Sequence, residues 1–232
     1  MVKNHIKRIA APKTWRVLRK TTTFITTPKP GAHKLEFAVS LNTFLKEMVM
    51  LTKTLKETKY LLTSHEVLIN GKRKRDHKNQ TGLLDVVSVP HAQKNYRIIM
   101  DSKGKLASKE ISESEAKNLL LKITGKTLLK QGKVQLGTMQ GRTVLIDKKE
   151  AATYKVGDSV LYDLATKKIK AHFQIQKGAL ATIYTGKHSG KTGTVEDINK
   201  DTIKIKTKTE TFETNREYII VIGKDKSAIE LD

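Results

Sequence analysis

The residues whose spacing most suggests chemistry form a glycine-containing loop near the C-terminus, GKHSGKT at residues 186–192. Backbone N–H groups and a lysine in such a loop can hold the phosphates of a nucleotide. The phosphate-binding loop of nucleotide hydrolases requires four residues between its glycines, and this loop has three. It also requires a helix after the lysine, whereas Gly193-Thr-Val predicts a strand. We therefore interpret the loop as a turn between strands.

The histidines, carboxylates and serines form no recognisable catalytic or metal-binding set. Asp147 with Glu150, and Asp197 with Asp201, lie among lysines, which favours solvated ion pairs. The serines lack the glycine elbow of hydrolases, and the chain has no cysteine. The seven histidines lack the spacing of metal ligands, which favours exposed side chains at positions 5, 33, 65, 77, 91, 172 and 188. These patterns indicate a protein that is not an enzyme and has no cofactor, no metal and no small-molecule substrate.

The net charge of +22, from 45 Lys and Arg against 23 Asp and Glu, points to a polyanionic partner. Self-repulsion at this charge disfavours a compact state unless a polyanion neutralises it, and nucleic acid is the obvious one. A membrane surface would require an amphipathic basic helix or an apolar anchor, and no run of eighteen apolar residues is present. We therefore expect a cytoplasmic RNA-binding protein without a membrane partner.

The first acidic residue is Glu36, so everything before it is strongly basic. A segment with this charge, three prolines and few apolar residues does not bury enough surface to fold alone. We interpret residues 1–40 as an arm that becomes ordered on RNA. We expect removal of residues 1–34 to weaken RNA binding and to leave the folded domains intact. Trp15 can stack on a base or pin the arm to a domain. The candidate RNA-binding residues of the arm are Lys3, Lys7, Arg8, Lys13, Trp15, Arg16, Arg19 and Lys20.

The next segment predicts two helices followed by small strands. Leu41, Phe44, Leu45 and Met48 have the spacing of an amphipathic helix, and a second helix covers about residues 54–62. The dipeptide Asn-Gly at 70–71 predicts a tight turn, and strands follow at about 84–89 and 96–100. The candidate RNA-binding residues here are Lys46, Lys53, Lys56, Lys59, Lys72, Arg73, Lys74 and Arg75.

The remainder predicts one more helix and then mostly strands. Ser112 and Glu115 form a capping box, and the helix after it would bury Ala116, Leu119, Leu120 and Ile123. From residue 134 onward the pattern is β, and residues 202–207 alternate at period two. Short strands joined by glycine turns suggest a small barrel. The predicted class is α+β and multi-domain, with modules at 1–40, 41–105, 106–173 and 174–232.

Two stretches resemble known RNA-binding elements. TLKETKYLL at 54–62, followed by VLINGK, resembles the S-four-type RNA-binding domain, in which a basic helix and an Asn-Gly turn form an RNA-facing surface. Residues 178–195 resemble a KOW motif, an element of small barrels that bind RNA and protein. The resemblances imply an S-four-type domain at 41–105, a β-rich central ribosomal domain at 106–173 and a KOW-containing β-barrel domain at 174–232.

The order of the segments resembles the archaeal and eukaryotic small-subunit ribosomal protein S-four-e family. The matching stretches are NHIKRIAAPKTW at 4–15, GAHKL at 31–35, INGKRKRD at 69–76, LLDVVSV at 83–89, NYRI at 95–98, ISESEAKNLL at 111–120 and YIIVIGK at 218–224. The resemblance implies a structural constituent of the small ribosomal subunit, bound to its ribosomal RNA and beside other small-subunit proteins. The C-terminal SAIELD lacks the long basic tail of eukaryotic members, which favours an archaeal protein.

The resemblance implies that Lys53, Lys56, Lys59, Lys72 and the N-terminal basic residues face RNA. We add Lys187 and Lys191 of the KOW loop as candidates. Because few aromatic residues line up as stacking platforms, we expect structured RNA read by shape through phosphate contacts. The alternative is a free RNA-binding factor that acts in RNA modification or transcription elongation. A modification enzyme would need a catalytic domain, and an elongation factor a polymerase-binding domain, and neither is recognisable.

Overall fold

Short antiparallel strands make up most of the regular structure, so the chain is mostly β, with several sheets and less helix than the predicted α+β class implies. The computed structural model describes residues 5–199, 201–207, 210–224 and 226–230. Contacts among them divide the chain into two units. The first lies within Met1–Ile99 and Lys105–Lys117, and the second within Met100–Gly104 and Asn118–Asp232.

The first unit contains one five-stranded antiparallel sheet and two strand pairs. Its strands are β1 (Ile6–Lys7), β2 (Phe24–Ile25), β3 (Ala38–Ser40), β4 (Leu68–Ile69), β5 (Lys72–Arg73), β6 (Gln80–Gly82), β7 (Val86–Val89), β8 (Lys94–Met100) and β9 (Leu106–Ile111). The large sheet has the order β5-β4-β7-β8-β9, while β1 pairs with β2 and β3 pairs with β6. Because β9 belongs to this sheet, the sheet extends past the module boundary predicted at residue 105.

Both helices predicted for this unit are present, and the first is irregular. It consists of α1 (Leu41–Thr43) and a π-helical turn over Phe44–Met48, and it buries Leu41, Phe44 and Leu45 as the apolar spacing predicts. The Ser40 hydroxyl accepts the Thr43 N–H at the helix start. The second helix, α2 (Leu55–Ser64), lies within two residues of its predicted bounds.

The N-terminal segment packs into the first unit, in contrast to the arm expected from its composition. Trp15 is 1% exposed, and its indole N–H donates to the Leu35 carbonyl at 3.1 Å. The Arg8 guanidinium, also buried, donates two hydrogen bonds of 2.7 Å to the Glu47 carboxylate. The segment packs because the buried Trp15 indole supplies apolar surface and the distant Glu47 carboxylate supplies a charge partner, neither of which its average composition indicates.

The helix predicted after Ser112 ends after one turn. The capping contact is present, since the Ser112 hydroxyl accepts the Glu115 N–H, but α3 covers only Glu113–Ala116. Residues Asn118–Leu128 form β10 instead, with β11 and β13 as its partners. Leu119, Leu120 and Ile123 are buried, together with Leu121. A strand buried on both faces has a continuous apolar run, which local spacing does not separate from a helix.

The second unit contains two five-stranded antiparallel sheets. After β10 their strands are β11 (Lys133–Thr138), β12 (Thr143–Asp147), β13 (Ser159–Asp163), β14 (Ile169–Phe173), β15 (Leu180–Ile183), β16 (Thr192–Ile198), β17 (Thr202–Lys206), β18 (Thr211–Asn215) and β19 (Ile219–Gly223). The sheet orders are β12-β11-β10-β13-β14 and β18-β17-β16-β15-β19. The pairings between described residues leave β18 and β19 as outer strands, so a closed barrel is not confirmed. The predicted alternation in β17 is present, with Ile203 and Ile205 buried.

The loop that resembles a nucleotide site is a connection between strands, as its sequence predicts. Strand β16 begins at Thr192, immediately after the lysine, and pairs with β15. Gly190 has a φ of +84°, and a Cβ there would lie 1.9 Å from the Asp101 carbonyl oxygen. A Cβ on Gly193 would lie 2.5 Å from the Lys206 carbonyl oxygen. These glycines are therefore required by turn geometry and by close backbone packing.

A buried lysine in the second unit gives stability a specific pH dependence. Burial lowers the pKa of the Lys122 ammonium to about 8 from an ordinary value of 10.5, although Glu217 opposes this. Between these two values the unfolded chain binds more protons than the folded chain, so folding becomes more favourable as pH rises. We expect the wild type to gain about 2–3 kcal/mol relative to Lys122→Met between pH 8 and pH 10.5, measured by urea unfolding. Parallel pH profiles of the two proteins would contradict this prediction.

Candidate nucleic-acid interface

Helix α2 presents a basic face that its capping box holds in place. Lys56, Lys59 and Tyr60 are exposed at helical spacing, while Thr58 and Leu62 on the opposite face are buried. The Thr54 hydroxyl accepts the Glu57 N–H at 3.2 Å, and the Glu57 carboxylate accepts the Lys53 N–H at 2.8 Å. The backbone of exposed Lys53 is thereby fixed at the helix start. We call Lys53, Lys56 and Lys59 the α2 lysines.

Glu57, which lies among the α2 lysines in the sequence, forms hydrogen bonds within the N-terminal capping box of the helix. Hydrogen bonds from the Lys53 backbone N–H and the Thr54 hydroxyl hold the pKa of the Glu57 carboxyl below its ordinary value. The carboxylate is therefore ionised at neutral pH and accepts backbone and hydroxyl hydrogens at the helix N-terminus, a favourable position for negative charge. Lys56 and Lys59 lie further along the helix, on its exposed face.

The hairpin between β4 and β5 presents the second basic group. Asn70 and Gly71 occupy the turn with φ values of 49° and 75°, as the tight-turn prediction requires. The Asn70 amide oxygen accepts the Val86 N–H at 2.9 Å, which fixes the turn against β7. Arg73 forms a 3.3 Å ion pair with Glu66, the second residue after α2, so the hairpin contacts the segment that leaves the helix. Lys72, Arg73 and Arg75 are exposed, and Lys74 is half-buried.

Two further lysines of this surface were missed by sequence analysis. The pKa of the His77 imidazole is lowered mainly by burial; Asp76 opposes this, and Lys59, Lys78 and Lys29 lower it further. The imidazole is therefore neutral at neutral pH, and the lysines lie close enough to act on its charge. Lys29 also forms an ion pair with Asp76. Lys29 and Lys78 lie far from α2 in the sequence, so local patterns do not place them beside Lys59.

The N-terminal candidates divide into exposed and internal residues. Trp15 and Arg8 are buried and have internal partners, so their side chains are not exposed for contact with RNA in this structure. Arg19 is half-buried and donates to the carbonyls of Ile9, Ala11 and Pro12, which indicates a structural role. Lys3 lies outside the described residues, and Lys46 is half-buried in the π-helical turn. The exposed candidates of this segment are Lys7, Lys13, Arg16 and Lys20.

The two KOW-loop candidates lie in the second unit and differ from each other. Lys187 is exposed. Lys191 is half-buried. Its ammonium lies 3.2 Å from the Glu210 carboxylate and 5.3 Å from the ring centroid of Phe212, in a cation–π contact. The His188 ring stacks on the Phe212 ring, with the two centroids 4.5 Å apart. Lys187 is thus the more available of the two for RNA.

Several histidines have internal partners, contrary to the expectation that all are exposed. The His33 Nε2 lies 3.0 Å from the Asp85 carboxylate, and both side chains are buried. The His172 Nε2 lies 2.9 Å from the Asp158 carboxylate. The described residues contain no group of three or more side chains suited to a metal ion. These histidines therefore act as partners of buried carboxylates.

Three aromatic rings meet at the C-terminal end of α2, which sequence analysis also missed. His65 and His91 stack with centroids 3.7 Å apart and an interplanar angle of 13°. Tyr60 and His65 form a T-shaped pair, with centroids 6.3 Å apart. His91 lies in the turn before β8, far from α2 in the sequence, so only the folded chain brings the rings together.

Within the described residues, no helix is long and apolar enough to cross a membrane.

Comparisons with known proteins agree with this architecture. The family described as "Ribosomal family S4e" matches residues 92–169, and the RS4NT domain matches residues 2–36. The small ribosomal subunit protein eS4 of Methanocella arvoryzae is 35% identical over 99% of this chain and 98% of its own length. That of Archaeoglobus fulgidus is 33% identical over 100% and 99%.

A solved structure extends the similarity to the fold. The crystal structure of the 30S ribosomal protein S4e from Thermoplasma acidophilum matches with a TM-score of 0.68 at 27% identity. The match covers 80% of this chain and 95% of that one. The sequence similarity spans nearly the full length of the curated relatives, and the fold agrees with it: the chain belongs to the ribosomal S4e family.

Proposed function

We propose that this protein is a structural constituent of the small ribosomal subunit and that it binds small-subunit ribosomal RNA through phosphate contacts. Its partners are that RNA and the neighbouring small-subunit proteins, and it acts in the cytoplasm. The observation that carries the proposal is the exposed basic surface of the first unit, formed by the α2 lysines and the β4–β5 hairpin. Membership of a family whose relatives bear the name small ribosomal subunit protein supports the role.

The residues of this surface are suited to binding the phosphate backbone of RNA. Lysines contribute point charges that neutralise phosphates and release counterions without sequence readout. The capping box and the fixed turn hold these charges on two rigid elements, so little order has to be gained on binding. The proposed contacts are Lys53, Lys56, Lys59, Lys72, Arg73, Lys74 and Arg75, with Lys46, Lys187 and Lys191 and the exposed residues of the N-terminal segment as further ones.

The module boundaries also remain proposals. We propose that residues 41–105 act as an S-four-type RNA-binding domain and residues 106–173 as a central domain. We propose that residues 174–232 act as a KOW-type barrel domain. The sheet order of the last segment supports a KOW-type module, because its glycine loop joins two paired strands over a common apolar core.

The test of phosphate recognition is the salt dependence of RNA binding. We expect Lys56→Gln with Lys59→Gln to weaken binding to purified small-subunit ribosomal RNA, because two phosphate contacts are lost. The slope of log K against log salt concentration should fall in magnitude by about 2, or about 1 per lysine. Filter binding of the full chain across a range of KCl concentrations measures both quantities.

The matched control is Lys148→Gln with Lys149→Gln, which changes the net charge equally at an exposed loop of the second unit. Its slope should equal that of the wild type. Equal slopes for all three proteins would refute the assignment of the surface. Migration of the wild type apart from small subunits in a low-salt sucrose gradient would refute the ribosomal role itself.

A further inference from the structure

The three aromatic rings lie at the C-terminal end of α2, next to its basic face. Tyr60 follows Lys59 on the exposed face and is itself 67% exposed. His65 follows the last residue of α2 and is half-buried, while His91 is exposed. Lysines for phosphates and exposed aromatic rings therefore occur on adjoining parts of the first unit.

The geometry of the rings differs from that of core packing. His91 stacks on His65 through one face at 3.7 Å, so its opposite face remains open at an exposed position. Tyr60 and His65 form a T-shaped contact at an interplanar angle of 83°, and the phenol ring remains largely exposed. An exposed tyrosine alone is ordinary surface. A stack of two imidazoles that is held in place and open at one end is a platform that another flat ring can extend.

We propose that these rings stack against an unpaired nucleobase of the RNA whose phosphates the α2 lysines contact. The inference rests on the proposed function and adds to it a contact with a single-stranded loop or bulge. Paired bases lie inside a helix and present no free face, whereas unpaired bases are splayed out and stack on aromatic side chains. The neighbouring positive charge selects a nucleic acid over an apolar ligand.

The proposal makes phosphate binding and base stacking separable. A phosphate contact depends on salt, while a stacking contact with a base depends on the π-face of the side chain. Removing a ring should therefore weaken binding without changing the salt slope. Removing a lysine should change the slope.

The experiment measures binding of the full chain to small-subunit ribosomal RNA at several KCl concentrations. We expect Tyr60→Ala and His91→Ala each to weaken binding by about five-fold or more, with an unchanged salt slope. Tyr60→Phe keeps the ring face and should bind within about two-fold of the wild type. Since both side chains are exposed, these variants should remain folded, which circular dichroism checks.

The outcomes separate this proposal from the proposed function. If both alanine variants bind as tightly as the wild type while the Lys56 and Lys59 variant loses slope, the stacking proposal is overturned and the phosphate surface stands. If the alanine variants bind RNA normally but fail to join small subunits, the rings contact a neighbouring protein and the proposal is also overturned. If the Lys56 and Lys59 variant keeps the salt slope of the wild type, the proposed phosphate contacts of the α2 lysines are refuted.

Discussion

Replacing Glu47 with alanine should lower the free energy of unfolding of the first unit by about 3–5 kcal/mol. The substitution leaves the Arg8 guanidinium buried without its carboxylate, because the two form a bidentate pair with side-chain exposures of 5% and 16%. An arginine guanidinium is not deprotonated in proteins, so Arg8 does not escape this cost by losing its charge when Glu47 is removed. Trp15 is the only tryptophan in the chain, and its fluorescence during urea unfolding reports on this unit.

The matched control for Glu47→Ala is Glu66→Ala. Glu66 pairs with Arg73 at 3.3 Å, but both side chains are largely solvated, with exposures of 58% and 35%. An exposed pair contributes less than about 1 kcal/mol, because water solvates both partners when it breaks. Similar losses in the two variants would show that the Arg8–Glu47 pair is not buried in solution.

Replacing Trp15 with alanine should lower the free energy of unfolding by about 3–5 kcal/mol. The indole is 1% exposed, so its removal leaves a cavity, and the Leu35 carbonyl loses its hydrogen-bond donor. Trp15→Phe keeps most of the apolar volume and should cost less. Urea unfolding followed by far-ultraviolet circular dichroism measures both variants.

Leu18 provides the control for Trp15, since it lies in the same segment and is 74% exposed. Leu18→Ala should change the free energy of unfolding by less than about 0.5 kcal/mol. A loss for Trp15→Ala no larger than this would mean that the N-terminal segment is an independent arm, as its composition first suggested.

These two results bear on how the N-terminal segment contributes to RNA binding. Deleting residues 1–34 would remove Arg8 and Trp15 together with the exposed lysines, so lost binding would combine unfolding with lost charge. Point substitutions at Lys13 and Lys20, which are both exposed, separate the two effects. We therefore regard this segment as part of the first unit that also carries surface charge.

Local patterns were sufficient for much of the secondary structure. The Asn70-Gly71 turn, the capping box of α2 and the alternation in β17 each depend on residues a few positions apart. Such short-range rules act within one element, so one sequence is enough to apply them. The helix predicted after Ser112 ends at Ala116 and a strand follows, because a doubly buried strand and a buried helix have the same apolar run. Pairing with β11 and β13 decided between them.

By itself, the sequence indicated a polyanionic partner and the family of this protein. A net charge of +22 favours a polyanionic partner, and the ordered motifs extend over nearly the whole chain. Only the tertiary structure decided which charges and rings are available to that partner. Contacts with Glu47 and Leu35 bury Arg8 and Trp15. His91 stacks on His65, beside the α2 lysines. These contacts join residues distant in the chain, and burial and pairing at such distances arise only when the elements pack.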